Sequence, residues 1–174
     1  MPPRLVLEPA TKSVRTVQQC IGHTQSGSRC KRRTARTSYC WTHLLKEQHL
    51  KIKPSQIPNT GLGLYTTIRR PARRMVTPYT GRPIQRPENT YTGDYVLQLN
   101  HSPQAPPYKY IDANQTTEAA GRFSNMARRR DHLTNNSKLW PDYRNHQAKI
   151  VATRPIPAGG EIRTTYGRNY SFPA

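Results

Sequence analysis

The sequence predicts a mainly β protein in which a small zinc-stabilised module precedes an irregular β-rich domain. Three observations support this class. Apolar residues make up 33% of the 174 residues, well below the roughly 45–50% of typical globular chains, which excludes a large core. Proline and glycine are scattered between short apolar runs such as 95–99 and 149–152, a pattern typical of short strands and tight turns. All three cysteines lie between positions 20 and 40.

The charge of the chain indicates polyanionic partners. Twenty-eight Lys and Arg side chains face nine Asp and Glu, giving a formal net charge of +19, and nucleic acid is the first candidate. No apolar run approaches the roughly 18–20 residues that cross a bilayer, and residues 5–7 are too few for a secretory signal. The odd cysteine count favours a reduced compartment. We therefore expect an intracellular protein with no membrane partner.

The composition divides the chain into four parts. Residues 1–17 are proline-rich and basic, which predicts a flexible tail. Residues 18–52 hold the cysteines and then a short helix starting at Trp41, with Leu44, Leu45 and Leu50 near helical spacing. Residues 53–170 are predicted as the β-rich domain, and 171–174 as a short C-terminal tail.

The cysteines belong to a pattern with metal-ligand spacing. Cys20, Cys30, Cys40 and His43 form Cys-x9-Cys-x9-Cys-x2-His, and three thiolates with one imidazole can close a tetrahedral zinc site. His23 or His49 could replace His43, and the alternative is a set of unrelated thiols on a basic surface. Because all four ligands would come from protein, the zinc would stabilise the module and would not catalyse.

Basic side chains surround this pattern. Their position predicts a surface that binds phosphates, with a merely solvated charge run as the alternative. They are Arg29, Lys31, Arg32, Arg33 and Arg36.

Six short motifs follow in the β-rich domain. A lone Gly-x-Gly is a weak signal, and the first motif lacks the third glycine of a dinucleotide-binding loop. In order, the motifs are Gly61-Leu-Gly-Leu-Tyr65, Tyr79-Thr-Gly81, Tyr110-Ile-Asp-Ala113, Gly121-Arg-Phe-Ser-Asn125, the Ala-x-Arg-x-Ile-x-Ala-Gly-x-Glu-Ile pattern of Ala152–Ile162, and Tyr166-Gly167.

Together and in this order, the motifs resemble the SET domain of protein-lysine methyltransferases over residues 53–170. The resemblance implies small curved β-sheets with a knot-like C-terminal crossing, S-adenosylmethionine as cofactor, and transfer of its methyl group to a lysine amine. It implies that Tyr166 is the catalytic tyrosine. Tyr79 and Tyr95 are candidate walls of the lysine channel, although a strand tyrosine is often ordinary packing.

The resemblance also implies a cofactor site. Backbone groups of Gly61, Leu62, Gly63 and Leu64 would hold the amino-acid end of S-adenosylmethionine, because glycine allows close approach of the main chain. The adenosine would lie against Arg122, Phe123, Asn125 and Met126, with Tyr166 also in contact. Tyr170 or Phe172 would cover the adenine. The structural alternatives are a hairpin bend for the glycines and a turn for Asn125.

Three departures from the family pattern stand out. Met126 replaces a histidine that many SET domains carry, so the hydrogen bonds of that side chain are lost. No cysteine follows Cys40, so a zinc-binding post-SET element is absent from this sequence and another segment must close the site. Thr164 stands two residues before Tyr166, where relatives often carry an aromatic residue.

Further basic clusters lie inside the β-rich domain, at Arg69, Arg70, Arg73, Arg74 and residues 128–130. A basic enzyme would repel a free lysine-rich tail, whereas nucleosomal DNA would attract it. The sequence therefore predicts a histone lysine methyltransferase that acts in chromatin, in the nucleus of its own or a host cell. The alternatives are a catalytically inactive SET-like, zinc-containing protein that binds nucleic acid or chromatin, and a purely structural basic protein.

Overall fold

The structure is a computed structural model that describes residues 17–85, 95–98, 110–114, 119–142, 145 and 147–166. Apart from Val17, the predicted N-terminal tail lies outside these residues. So do the predicted C-terminal tail and the predicted adenine covers Tyr170 and Phe172.

The N-terminal module consists of a two-stranded ribbon and a helix. Strands β1 (Gln18–Gln19) and β2 (Arg33–Thr34) pair antiparallel, and helix α1 spans Trp41–Gln48. The helix ends at Gln48, before Leu50, the last of the predicted apolar positions. It ends there because His49 takes a left-handed conformation and its N–H caps the carbonyls of Leu44 and Leu45. Leu50 already belongs to a strand, and Trp41 is 72% exposed and does not face the core.

Ten strands follow in the described ranges. They are β3 (Leu50–Pro54), β4 (Leu62–Thr66), β5 (Met75–Tyr79), β6 (Arg82–Ile84), β7 (Val96–Gln98), β8 (Tyr110–Asp112), β9 (Ser137–Asp142), β10 (Gln147–Ala152), β11 (Glu161–Ile162) and β12 (Thr164–Thr165). These described strands form three small sheets, with the orders β11-β4-β3, β12-β9-β10-β5 and β6-β8-β7. In the described part of the chain between β8 and β9 lie two 3-10 helices, Ala120–Phe123 and Arg129–Asp131.

Strand β3 pairs with β4 along its whole length, from Leu50 opposite Thr66 to Pro54 opposite Leu62. The predicted boundary between residues 52 and 53 therefore falls inside β3. Helix α1 packs against this strand, and Leu44 and Leu50 belong to the main hydrophobic core. The zinc-module helix and the first sheet consequently share one core.

The C-terminal segment crosses between two other parts of the chain. On one side the N–H of Thr164 donates to the carbonyl of Asn125 at 2.8 Å; on the other, the carbonyl of Arg163 accepts from the N–H groups of Asn136 and Ser137. Strand β12 pairs parallel with β9, whereas the other described strand pairs are antiparallel. The mainly β class with small sheets and a C-terminal crossing is confirmed.

Helix α1 has eight residues, and within the described ranges no helix has the length and apolar character that a membrane span requires.

Candidate functional site

The structure brings the four predicted metal ligands together. The Sγ atoms of Cys20, Cys30 and Cys40 and one ring nitrogen of His43 all lie within 4.8 Å of one another, and all four residues are buried. The Nδ1 atom of His43 is 3.5 Å from Sγ of Cys20 and 3.4 Å from Sγ of Cys40. Three sulfurs and one imidazole at this spacing fit a structural zinc ion.

Surrounding groups fix the orientation of these ligands. Nε2 of His43 donates to the carbonyl of His23 at 2.7 Å, which leaves the lone pair of Nδ1 for a metal. Sγ of Cys20 accepts N–H bonds from Gly22 at 3.4 Å and from Cys40 at 3.1 Å. Of the alternative histidine ligands, His23 contributes its carbonyl and His49 caps helix α1. The fourth member of the cluster is therefore His43.

The electrostatics of the cluster favour a thiolate at Cys40. Burial opposes its ionisation, but the N–H groups of His43 and Thr42 together with the His43 ring outweigh burial and lower the pKa of Cys40 to about 6. Burial raises the pKa of Cys20. Metals bind the deprotonated thiol, so Cys40 is the side chain of this pair best prepared for one.

A second candidate site lies where three segments meet, at residues 60–62, 124–126 and 164–166. Oη of Tyr166 donates to the carbonyl of Ser124 at 2.8 Å. Nδ2 of Asn125 donates to the carbonyl of Leu62 at 2.8 Å and to Oγ1 of Thr60 at 3.4 Å. These bonds join the predicted catalytic tyrosine to both predicted cofactor-binding segments.

The residues at this junction remain accessible to a ligand. Gly61 is exposed, and Leu62, Asn125, Met126 and Tyr166 are half-buried. Gly61 has φ +71°, and a β-carbon built there would meet nothing within 4 Å. The main chain at this bend is therefore open on one side, and only glycine adopts its conformation without strain.

Met126 has a definite role in this arrangement. Its Sδ atom accepts the backbone N–H of Tyr166 at 3.1 Å, a bond that a thioether can make as a weak acceptor. The methionine that departs from the family pattern thus lies against the predicted catalytic residue and supports the backbone that carries it.

Beside the Ser124 end of this junction lies a buried chain of hydroxyl groups that no motif in the sequence predicts. Oγ1 of Thr164 shares hydrogen bonds with Oγ of Ser124 and, at 2.7 Å, with Oγ of Ser137. Oγ of Ser124 also bonds to the carbonyl of Ile162 at 3.0 Å. Thr164 is fully buried, so its side chain fastens the crossing. In the sequence, the sign of this arrangement is Thr164 itself, a small hydroxyl residue at a position where relatives often carry an aromatic ring.

Gly63 and Leu64 are placed differently from Gly61. Leu64 is fully buried in the core, and its backbone pairs with strands on both sides. A β-carbon at Gly63 would lie 2.2 Å from Oε1 of Glu161, so this glycine makes room for a buried carboxylate. The open part of the predicted glycine loop is its first half, at Gly61 and Leu62.

Arg122 is buried with its guanidinium directed into the protein. Its Nη1 donates to the carbonyls of Ala113 at 3.2 Å and Asn114 at 3.0 Å, and its Nη2 donates to the carbonyl of Arg36 at 3.4 Å. The guanidinium also lies 5.0 Å from the ring centre of Tyr95 and 4.8 Å from that of Phe123. The backbone of Arg122 is therefore the part that could meet a cofactor.

The two predicted channel tyrosines contact each other. Oη of Tyr79 donates to the carbonyl of Tyr95 at 3.2 Å. Tyr79 is buried in the core and Tyr95 is half-buried beside Arg122. The pair therefore lies on the Arg122 side of the segment 122–126, while Tyr166 contacts its Ser124 and Met126 end.

Among the solved structures that are similar to this chain are two with a SET domain or its ligands in their descriptions. One is KRYPTONITE in complex with mCHG DNA and SAH, with a TM-score of 0.51 and 19% identity over 68% of this chain and 23% of that chain. The other is the ATXR5 SET domain in complex with histone H3 dimethylated on an arginine, with a TM-score of 0.58 and 19% identity over 76% of this chain and 65% of that chain. The chain thus spans less than two thirds of the length of either. This likeness shows that the chain has the SET-domain fold.

No protein-family model matches the chain, and no curated protein matches it.

Proposed function

We propose that this chain is an S-adenosylmethionine-dependent protein-lysine methyltransferase whose substrate is a histone in chromatin. The observation that carries the proposal is the junction of residues 60–62, 124–126 and 164–166, where hydrogen bonds tie Tyr166, Asn125 and Leu62 together. Two neighbours of the same fold, described with SAH and with histone H3, support the substrate class.

The residues at the junction fit the proposed cofactor. The open backbone at Gly61 and the carbonyl of Leu62 would lie against its amino-acid end. Asn125 fixes the distance between this bend and the segment 122–126. Phe123, Met126 and the backbone of Arg122 would border the adenosine, and Phe172 is proposed as its cover.

S-adenosylmethionine supplies a methyl group on a positively charged sulfur. A lysine amine held beside Tyr166 would have to lose its proton to solvent before it could accept that methyl group, with the cofactor sulfur leaving as a neutral thioether. An apolar, aromatic-lined channel favours the neutral amine by desolvation, and aromatic faces stabilise the charge that returns to the nitrogen. Because the Tyr166 hydroxyl donates its proton to the Ser124 carbonyl, its oxygen could act as an acceptor toward a bound amine. Positioning supplies most of the rate enhancement.

We propose that zinc at Cys20, Cys30, Cys40 and His43 stabilises the N-terminal module. With four protein ligands the ion has no open position for substrate or water. The basic side chains around it and the net charge of +19 would hold the enzyme to nucleosomal DNA in the nucleus, since phosphate contacts dominate such binding.

The test is methyl transfer from labelled S-adenosylmethionine to reconstituted nucleosomes and free histones, with products identified by mass spectrometry. We expect label on lysine with the natural chain and little or none with Tyr166→Phe. Tyr65→Phe is the matched control, because its Oη also donates to a backbone carbonyl, that of Pro54, at 2.8 Å. Equal transfer by Tyr166→Phe, or no transfer by folded, zinc-loaded protein, would overturn the proposal.

The second candidate is an inactive SET-like protein that binds nucleic acid, favoured by Met126 in place of the usual histidine. The two functions differ in their response to S-adenosylmethionine. A ligand that binds only the folded state raises the melting temperature, so a thermal shift with the cofactor supports the enzyme and its absence supports the binding protein.

A further inference from the structure

A groove of about 670 Å³ lies between the N-terminal module and strand β3. The residues that line it come from the loop 32–37, from Tyr39 and Cys40, from helix α1 and from residues 51–53 of β3. Strand β3 is the last strand of its described sheet, so the groove runs along a sheet edge. None of the segments of the methyl-transfer junction lines it.

The groove is strongly cationic and has an apolar floor. Its charged lining side chains are all positive: no Asp or Glu occurs among the described residues that line it. The floor is made by Leu44, Leu45 and Ile52. The cations, all exposed, are Arg32, Arg33, Arg36, Lys51 and Lys53.

An exposed aromatic side chain stands at the same groove. Trp41 is 72% exposed, although His43 and Leu44 in the same turn of the helix are buried. The guanidinium of Arg32 lies 5.3 Å from its ring centre and donates a hydrogen bond to Oγ1 of Thr42. This pairing orients the indole, and the described residues leave most of its apolar surface exposed.

We propose that this groove binds a single-stranded segment of nucleic acid, with a base stacked on Trp41 and phosphates against the surrounding arginines and lysines. Basic grooves with exposed aromatic rings are the usual means of holding single strands. A duplex keeps its bases stacked inside and would leave the apolar floor and the indole unused. An acidic peptide would meet the cations but gains little from the indole face.

The volume agrees with this occupant. Small-molecule sites commonly measure about 300–1,000 Å³, so the groove can take one or two nucleotides and not the width of a duplex. Basic residues come from both the loop 32–37 and β3, so a strand in the groove would meet positive charge from two segments of the chain.

The two tryptophans of the chain allow a direct measurement. In Trp140→Phe, Trp41 becomes the single tryptophan, and stacking of a base quenches its fluorescence. We expect a labelled oligothymidylate to quench Trp41 saturably and to show the same affinity by anisotropy. Absence of quenching at saturating oligonucleotide would overturn the proposal.

Trp41→Ala and Trp140→Ala form a matched pair. Trp140 is also exposed, at 53%, and also has a cation over its ring, Lys138 at 4.6 Å. Loss of one stacked base should weaken oligothymidylate binding at least about fivefold. We expect this loss for Trp41→Ala alone and a smaller one for Trp41→Phe, which keeps a ring. Equal losses in both alanine variants would contradict a defined site.

The salt dependence separates stacking from phosphate contacts. Replacing Lys51 and Lys53 by Gln should lower the slope of log affinity against log salt by about 0.7 for each contact removed. Lys138→Gln should leave this slope unchanged, and Trp41→Ala should lower affinity at constant slope. If the Lys51/Lys53 variant and Lys138→Gln have the same salt slope, Lys51 and Lys53 do not contact phosphates and the assignment is wrong.

Two competitors test the class of ligand. If polyglutamate displaces oligothymidylate equally well, or if a duplex binds more tightly without any effect of Trp41→Ala, the proposal is wrong. Zinc content and circular dichroism verify that each variant is folded. Because the groove is separate from the methyl-transfer junction, Tyr166→Phe should bind oligothymidylate as the natural chain does, so a failure of single-strand binding and a failure of methyl transfer are distinguishable.

Discussion

The imidazole of His43 lies against the α-carbon of Gly22, and a β-carbon built at position 22 would be 2.4 Å from Cγ of the ring. Gly22 also donates its N–H to Sγ of Cys20. One glycine therefore contacts two of the four proposed zinc ligands. The requirement for glycine here comes from the space that the ring occupies.

Gly22→Ala should disturb the position of His43 and weaken zinc binding by about 10- to 100-fold, the range found when support of a metal ligand is lost. Zinc affinity can be measured by competition with a chromogenic chelator. Gly27→Ala is the control: its φ of +80° makes alanine strained, but a β-carbon there meets nothing within 4 Å. It should cost stability and leave zinc affinity nearly unchanged. Equal affinities in both variants would contradict the proposed contact.

Zinc removal should unfold the N-terminal module. The natural chain should contain about one zinc per molecule, and Cys30→Ser should contain much less, because a closed structural site needs all four ligands. Metal analysis gives the content, and emission of Trp41 in a Trp140→Phe background reports the module. Ser28→Ala, in the same loop, should keep its zinc. A chelator that leaves Trp41 emission and melting unchanged would show that zinc does not stabilise the module.

Asn125→Ala should weaken binding of S-adenosylmethionine about 5- to 100-fold, because it removes the two bonds to Leu62 and Thr60 that hold the glycine bend. Asn125→Asp should be no better, since a carboxylate would face the Leu62 carbonyl. Calorimetric titration with the cofactor measures the change. Asn145→Ala, which removes an exposed bond to Asp142, is the control, and natural affinity in Asn125→Ala would contradict the role of the junction.

The parts of this molecule that could be predicted from sequence are those whose signal is local. The Cys-x2-His spacing of Cys40, which precedes helix α1, and His43 in its first turn indicates a pair of ligands, with His23 and His49 as alternatives to His43 until the fold is known. The order of the short motifs indicates the SET fold even though the described sheets have only two to four strands. In both cases the signal lies in residue type and spacing.

The remaining features depend on contacts between distant residues. Nothing near Met126 indicates that its sulfur accepts the N–H of Tyr166, forty positions away. Arg122 lies in a predicted cofactor motif, yet its guanidinium holds the carbonyl of Arg36 in the other module. The groove at Trp41 exists only because β3 passes beside the loop 32–37. Such placements follow from the assembled fold.

Gly63 and Glu161 form the last of these long-range pairs. The carboxylate of Glu161 is buried, and it accepts a bond from Oγ of Ser55 at 2.5 Å and from the N–H of Gln56 at 3.0 Å. Its Oε1 occupies the space that a β-carbon of residue 63 would need. Close packing leaves no room for both, because protein interiors tolerate little added volume.

Gly63→Ala should therefore lower the free energy of unfolding by about 1–3 kcal/mol or more without any cofactor present. Glu161→Asp shortens the side chain and should also destabilise the protein, since the bonds to Ser55 and Gln56 are weakened. The double variant should lose less than the sum of the two, with a coupling of about 0.5–3 kcal/mol, because the shorter carboxylate makes room for the β-carbon. Denaturant unfolding of the four proteins measures this coupling. Strict additivity would mean that Gly63 is not required by Glu161, and its requirement would then come from the Ser55 backbone, whose α-carbon lies 3.1 Å from the same β-carbon position, or from a ligand that approaches the loop.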